Sequence, residues 1–281
     1  MLRVPTELDE ARTIRKLLRY WLFKGRTIIS LLIIILIWET VACVTSIVRD
    51  VHFPTLLDTF MRLTILLSGE PLYGTPLYQH LIDSMSRWGV GFGLAMVVGI
   101  PLGLLLGYSS PLSDLLMPLI YVLQVIPGLA WIPIALLLFG LGTTPTIFMI
   151  FITALPPIVI NTAGGVRSIA RKYIKAARML GADNLTIFYK VLIPAVTLPI
   201  INGLRIGLGN GWRVLIAAEM VVGVASGIGY SIIESRWSLD FEAAFVCLLI
   251  IACIGLIIER VMLFTLEEKI MKKQGLKEVV M

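Results

Sequence analysis

The sequence predicts an all-α membrane protein that crosses the bilayer six times, with both termini on the cytoplasmic side. Three observations carry that expectation. Of 281 residues, 58% are hydrophobic and only 15% are charged, against about 45–50% and 25% in a typical soluble domain. The apolar residues are gathered into blocks near the ~20 residues that a helix needs to cross the hydrocarbon core. The basic residues behind the net charge of +6 lie between those blocks, which is the pattern of membrane orientation rather than of nucleic-acid binding.

Residues 1–26 carry Arg3, Arg12, Arg15, Lys16, Arg19, Lys24 and Arg26 and are expected as a cytoplasmic tail before a first span over 27–47. The segment 48–78, poor in basic residues, is placed outside. Within it Pro54–Leu67 reads as a surface-lying helix, followed by a turn-rich stretch around Pro71, Gly74 and Pro76. His52 and His80 fall outside the spans and are expected at the surface. The second span is predicted over Trp88–Tyr108, and Ser109-Ser110-Pro111 turns the chain. A third span, Leu112–Val125, is expected to break at Pro127-Gly128 and resume over Leu129–Leu141. A break at membrane depth must satisfy its freed backbone groups against protein or water, so it suggests a segment lining a passage.

The fourth span covers Pro145–Ala163 despite Pro156-Pro157. The loop 164–194 holds Arg167, Arg171, Lys172, Lys175, Arg178 and Lys190 and is therefore cytoplasmic. A fifth span over Pro199–Val224, an outside loop with Arg236 and a sixth span over Ala243–Phe264 complete the set. The tail 266–281, with Lys269, Lys272, Lys273 and Lys277, returns to the cytoplasm.

Two glycine ladders mark packing faces. Gly99, Gly103 and Gly107 recur every fourth residue in the second span, and Gly203, Gly207 and Gly211 do so in the fifth; such spacing lets helix backbones approach closely. Neither is a nucleotide loop, because no Gly-Lys dipeptide occurs in the chain and a Walker A motif needs one. Cys43, Cys247 and Cys253 lie inside apolar blocks and read as small buried side chains rather than disulfides or metal ligands.

The loop 164–194 has an internal design. Ala176 and Ala177 leave a smooth helix face, Gly181 suits a left-handed helix end, and Asp183 can cap a second short helix over Asn184–Lys190, ahead of Pro194. Such a pair makes a knob for a partner's socket. In the fifth span Asn202, Arg205, Gly209 and Arg213 fall on one side of a helical wheel and the glycine ladder on the other. A charged group at mid-membrane costs at least ~2.5–3.5 kcal/mol and is a functional candidate by default. Glu219 and Glu39 are the candidate partners of these arginines, with structural ion pairing and solute contact equally open.

Lys175-Ala176-Ala177-Arg178-Met179-Leu180-Gly181, nine residues, then Val191-Leu192-Ile193-Pro194 resembles the EAA loop of ABC importer permeases. Lys175 stands where that pattern has Glu, and Val191 and Ile193 replace Ile and Leu. Trp131-Ile132-Pro133, Phe139-Gly140-Leu141-Gly142, Gly203-Leu204-Arg205 and Ala217-Ala218-Glu219-Met220 extend the likeness over 79–265, toward the nitrate, sulfonate, taurine and bicarbonate branch. The resemblance implies a type I permease fold, with 79–265 as the transmembrane core and Lys175, Ala176, Ala177, Gly181, Asp183 and Pro194 in the ATPase-coupling loop. It further implies a second copy of the chain, cytoplasmic ABC ATPase subunits that use ATP and Mg, and an external solute-binding protein. No catalytic, cofactor or metal site is expected in this chain. An ion-coupled secondary transporter is the alternative, with intramembrane acids as ion sites; it leaves the capped cytoplasmic knob without a purpose.

Overall fold

A computed structural model describes residues 29–258 apart from 31, 51 and 170. The expected tails 1–26 and 266–281, the start of the first span and the end of the sixth lie outside the described residues. The chain divides into two units, Met1–Thr64 and Ile65–Met281.

In the first unit helix α1, Leu32–Arg49, is long and apolar enough to cross a membrane. Its polar side chains hold the chain that follows. Trp38 Nε1 donates to Pro54 O at 3.0 Å and Glu39 Oε1 accepts from Leu56 N–H at 2.8 Å. Helix α2, Leu56–Leu67, opens on a reciprocal cap in which Thr55 N–H donates to Asp58 and Asp58 N–H donates to the Thr55 hydroxyl. Those bonds hold the Asp58 carboxyl below its usual range.

The second unit starts with a two-residue hairpin, β1 (Pro71–Leu72) against β2 (Thr75–Pro76). It is otherwise helical: α3 Leu77–Tyr108, α4 Ser110–Val125, a 3₁₀ turn Gly128–Trp131, α5 Ile132–Phe139, α6 Thr143–Ser168, α7 Arg171–Met179 and α8 Asn184–Ile187. A π turn, Phe188–Leu192, joins α8 to α9, Ile193–Glu219; α10, Ile228–Ser238, and α11, Phe241–Ile257, follow. With α1, four helical stretches of the described residues are long and apolar enough to span, and α4 with Gly128–Phe139 makes a fifth that bends by 103°. Helix α11 is 17 residues as described.

The break at Pro127-Gly128 stands where the sequence puts it. The second span, by contrast, begins at Leu77 and not at Trp88, because Pro76 starts the helix and polar side chains on its first three turns find buried partners. The fifth begins before Pro199: α8, the π turn and α9 run as one helix, and Ile193 N–H reaches back to Phe188 O, five residues away, just ahead of Pro194. The segment expected as an outside loop is itself a helix, α10. Its buried face is Ile228, Gly229, Ser231 and Ser235, and those serines bond back to Gly227 O and Ser231 O, so their hydroxyl protons are satisfied within the turn. Of the cysteines only Cys247 is buried; Cys43 and Cys253 are exposed.

Helix α6 is the spine of this unit, gripped on two sides by the glycine ladders. A Cβ on Gly99, Gly103 or Gly107 would lie 2.9 Å from Ile158, 2.6 Å from Thr162 and 2.5 Å from Val166. On the other side a Cβ on Gly203 or Gly207 would lie 2.9 Å from Pro157 O or 2.8 Å from Ala154 O. Only hydrogen fits at these positions. Ala95, Leu106, Met117, Ile120, Ala154 and Ile158 fill the core between α3, α4 and α6.

Candidate functional site

The polar residues of the second unit form three groups. The first is a buried clamp at the C-terminal end of α9. Glu219, 1% exposed, would sit unfavourably at a helix C-terminus. It is offset by Arg87 of α3, 7% exposed, whose Nη1 donates to Glu219 Oε1 at 2.7 Å. Ser84 Oγ donates to the same carboxylate at 2.8 and 2.9 Å and accepts from Ile228 N–H at 2.9 Å. Gly229 N–H completes the carboxylate at 3.0 Å, and Arg87 Nη1 also donates to Ser226 O at 2.8 Å.

His80 extends the clamp, buried at 0% exposure. Gly227 N–H donates to His80 Nδ1 at 2.9 Å, so the ring proton sits on Nε2 and is donated to Leu72 O at 2.9 Å. Ser226 Oγ donates to Asp83 Oδ2, and Tyr73 donates to Ser235 Oγ at 2.9 Å. The hairpin, the first turns of α3, the end of α9 and the start of α10 are thus one polar-bonded body. Glu219 is not a partner of Arg205 or Arg213, contrary to the sequence reading, and Glu39 is engaged by Leu56 in the first unit. His80, expected at the surface, is interior because α3 starts early and the hairpin folds over it.

The second group is the open face of α9. Arg205, Gly209 and Arg213 line a cavity of about 370 Å³ with Leu208, Trp212 and, from α11, Ile251, Ala252, Gly255 and Leu256. Arg213 is exposed, and its Nη1 donates to Asn210 Oδ1 at 3.2 Å on its own helix. Among the described residues no carboxylate pairs with it. Asn202 Nδ2 donates to Asn161 Oδ1 of α6 at 2.8 Å. The wheel's two faces are both present: the glycines pack against α6 and Arg213 is exposed.

The third group is the loop between α6 and α9. Helix α7 ends in a Schellman turn, with Gly181 N–H donating to Arg178 O and Ala182 N–H to Ala177 O, each at 3.0 Å. Gly181 sits at φ +81°, where a side chain is strained. Asp183 Oδ1 accepts from Thr186 N–H at 3.1 Å and caps α8; the bond holds its carboxyl below the usual range. Lys175 and Ala176 are exposed, and Met179 and Leu180 are each 89% exposed, an apolar tip flanked by Tyr173, Leu185 and Tyr189. Pro194 opens α9.

A broken span, a helix spine between two ladders and a capped loop knob define an importer permease. Residues 99–265 match the family described as binding-protein-dependent transport system inner membrane component, and the chain belongs to it. It is an ABC importer permease subunit, a multi-pass cell-membrane protein and not itself an enzyme. A Methanocaldococcus jannaschii protein named as an ABC transporter permease is 42% identical over 184 residues, 66% of this chain and 69% of that one. The nitrate import permease NrtB of Synechocystis is 40% identical over 185 residues, 66% of this chain and 67% of its own length. The bicarbonate transport permease CmpB of Synechococcus elongatus is 39% identical over 184 residues, 66% of each. Among solved structures, an inward-facing MetNI methionine ABC transporter shares the fold, with TM-score 0.59 at 20% identity over 69% of this chain and 95% of that one.

Proposed function

We infer that two copies of this chain form the pathway for a small anionic solute, delivered by an external binding protein and driven by cytoplasmic ATPase subunits that hold ATP and Mg. The observation that carries the solute class is the open face of α9, where exposed Arg213 lines a cavity with no carboxylate partner among the described residues, while Glu219 is already bound to Arg87. A guanidinium fork donates two hydrogen bonds to an oxyanion and stays charged throughout. The relatives named for nitrate and bicarbonate point to the same chemistry. The ATPase reading rests on the loop: an exposed apolar tip, Met179 and Leu180, held by the Gly181 turn and the Asp183 cap, suits a socket. Lys175, Ala176, Ala177 and Pro194 belong to the same knob. ATP closes the ATPase dimer, and the two knobs are carried together as rigid bodies.

The test is uptake of nitrate, bicarbonate and a sulfonate into vesicles holding the permease with its ATPase, with the solute-binding protein supplied on the uptake side. Uptake of at least one anion should require ATP. Arg213→Gln should nearly abolish it with the melting temperature unchanged, and Arg213→Lys should retain part. Full uptake by Arg213→Gln overturns the anionic reading.

A further inference from the structure

A second cavity, of about 450 Å³, lies between the C-terminal turns of α3 and the loop knob, lined by Pro101, Leu104, Leu105 and Tyr108, by Arg178 of α7, and by Leu185, Phe188 and Leu192 beyond it. Its size is that of a small-ligand site, roughly 300–1,000 Å³. Its walls are aliphatic and aromatic, and its polar groups are Arg178, Asn184 and the Tyr108 hydroxyl. From Pro101 to Tyr108 the wall follows α3 for about 10 Å, ending on an aromatic of the kind that marks the membrane interface. Leu105 and Leu185 are exposed beside it, so the cavity opens sideways along apolar surface.

We propose that this cavity seats an anionic phospholipid of the inner leaflet, an acyl chain against α3 and the headgroup phosphate at Arg178. The charge pattern selects that occupant. Arg171, Lys172, Lys175, Arg178 and Lys190 belong to the same short stretch of chain, and a basic cluster beside a span at the cytoplasmic surface attracts anionic lipid. A zwitterionic lipid offers the same phosphate but brings its own cation, which the surrounding basic residues repel, so the cluster favours a headgroup of net negative charge. A soluble metabolite does not match walls that open onto the flank of a membrane helix. The lipid touches α3 and both helices of the knob at once, so it stiffens the knob's seat on the bundle. The inner-leaflet assignment rests on the reading that 164–194 is cytoplasmic.

The experiment uses the full chain without its ATPase, taken from vesicles of phosphatidylcholine with or without phosphatidylglycerol, and reads bound lipid by native mass spectrometry. Phosphatidylglycerol should be retained in preference to phosphatidylcholine. Arg178→Gln should reduce that preference about fivefold, and Leu105→Trp, which fills the cavity, should displace both lipids. A phosphatidylglycerol with a photoreactive acyl chain should label peptides around 101–108 and 184–192 of the unmodified chain. Equal retention in all three proteins, or labelling elsewhere only, overturns the proposal. ATPase co-purification is scored separately on Gly181→Val, so loss of the coupling reading leaves the lipid result standing and the converse holds as well.

Discussion

Helix α9 is held at its two ends by different physics. At Glu219 the hold is polar: carboxylate, guanidinium, imidazole and hydroxyl side chains of α3 and α9 bind backbone groups of residues 226–229, each at one distance and direction. At the other end Leu192 and Val196 rest against Val166 in a small apolar cluster, with a cavity beside it. Polar bonds buried from water fix position and register, because a misplaced partner leaves a charge or donor unsatisfied. Apolar contact carries no such penalty for a small slide. One end is an anchor and the other is adjustable.

The comparison breaks most decisively at Arg87. Arg87→Ala should leave the Glu219 carboxylate buried and uncompensated, at about 3–5 kcal/mol, seen as a large drop in the thermal midpoint of the detergent-solubilised chain. Arg213→Ala should stay within about 0.5 kcal/mol, and equal losses would erase the distinction between anchored and open arginines. Next is Gly107→Ala, whose methyl would meet Val166: about 1–3 kcal/mol from overpacking, with no loss predicted for Gly164→Ala, which faces open space. Gly181→Val is smaller, about 1–2 kcal/mol for a side chain in a left-handed conformation, and it has nothing within 4 Å to hit. Its loss should appear in ATPase association, with the melting of the bundle unchanged; normal association would separate the turn from coupling.

Asp183 gives the smallest effect. Its carboxyl is held low by Thr186, so the cap is fully present above the unfolded value near 3.8 and is lost as pH falls through the lower folded value. Hydrogen-exchange protection at 184–192, taken relative to the intrinsic rate at each pH, should therefore be flat across neutral pH and fall only in strong acid. Asp183→Asn, another good cap, should remove the acid step.

What was legible in the sequence was local or periodic. Glycines four apart named the packing faces, and Gly181 and Asp183 named a helix end and a helix start, because each signal is written within a few residues. The Pro127-Gly128 break was legible for the same reason. The clamp was not. Arg87 precedes an apolar run and looks like its boundary, and it finds Glu219 132 positions away. His80 read as surface because nothing in its neighbours reveals that Leu72 and Gly227 close over it. Helix α10 was hidden by its own serines and glycines, which resemble a loop until the carbonyls they bond are seen.

The run from Asn184 to Glu219 is 36 residues of nearly unbroken helix, about 54 Å of rod. Fixed at Glu219 by polar bonds and seated along the rest by packing alone, at Gly207, Gly203 and Pro199 against α6, it has the geometry of a lever pivoted near its tip. A tilt of about 5° moves the far end by ~5 Å, while Arg213, six residues from the pivot, shifts by less than ~1 Å. The π turn at Phe188–Leu192 lies on the long arm just short of the handle, where a wider coil can yield before the anchor does. Under the coupling proposed above, force applied at the knob would be geared down on its way to Arg213: a large stroke at the loop would become a fine adjustment in the span.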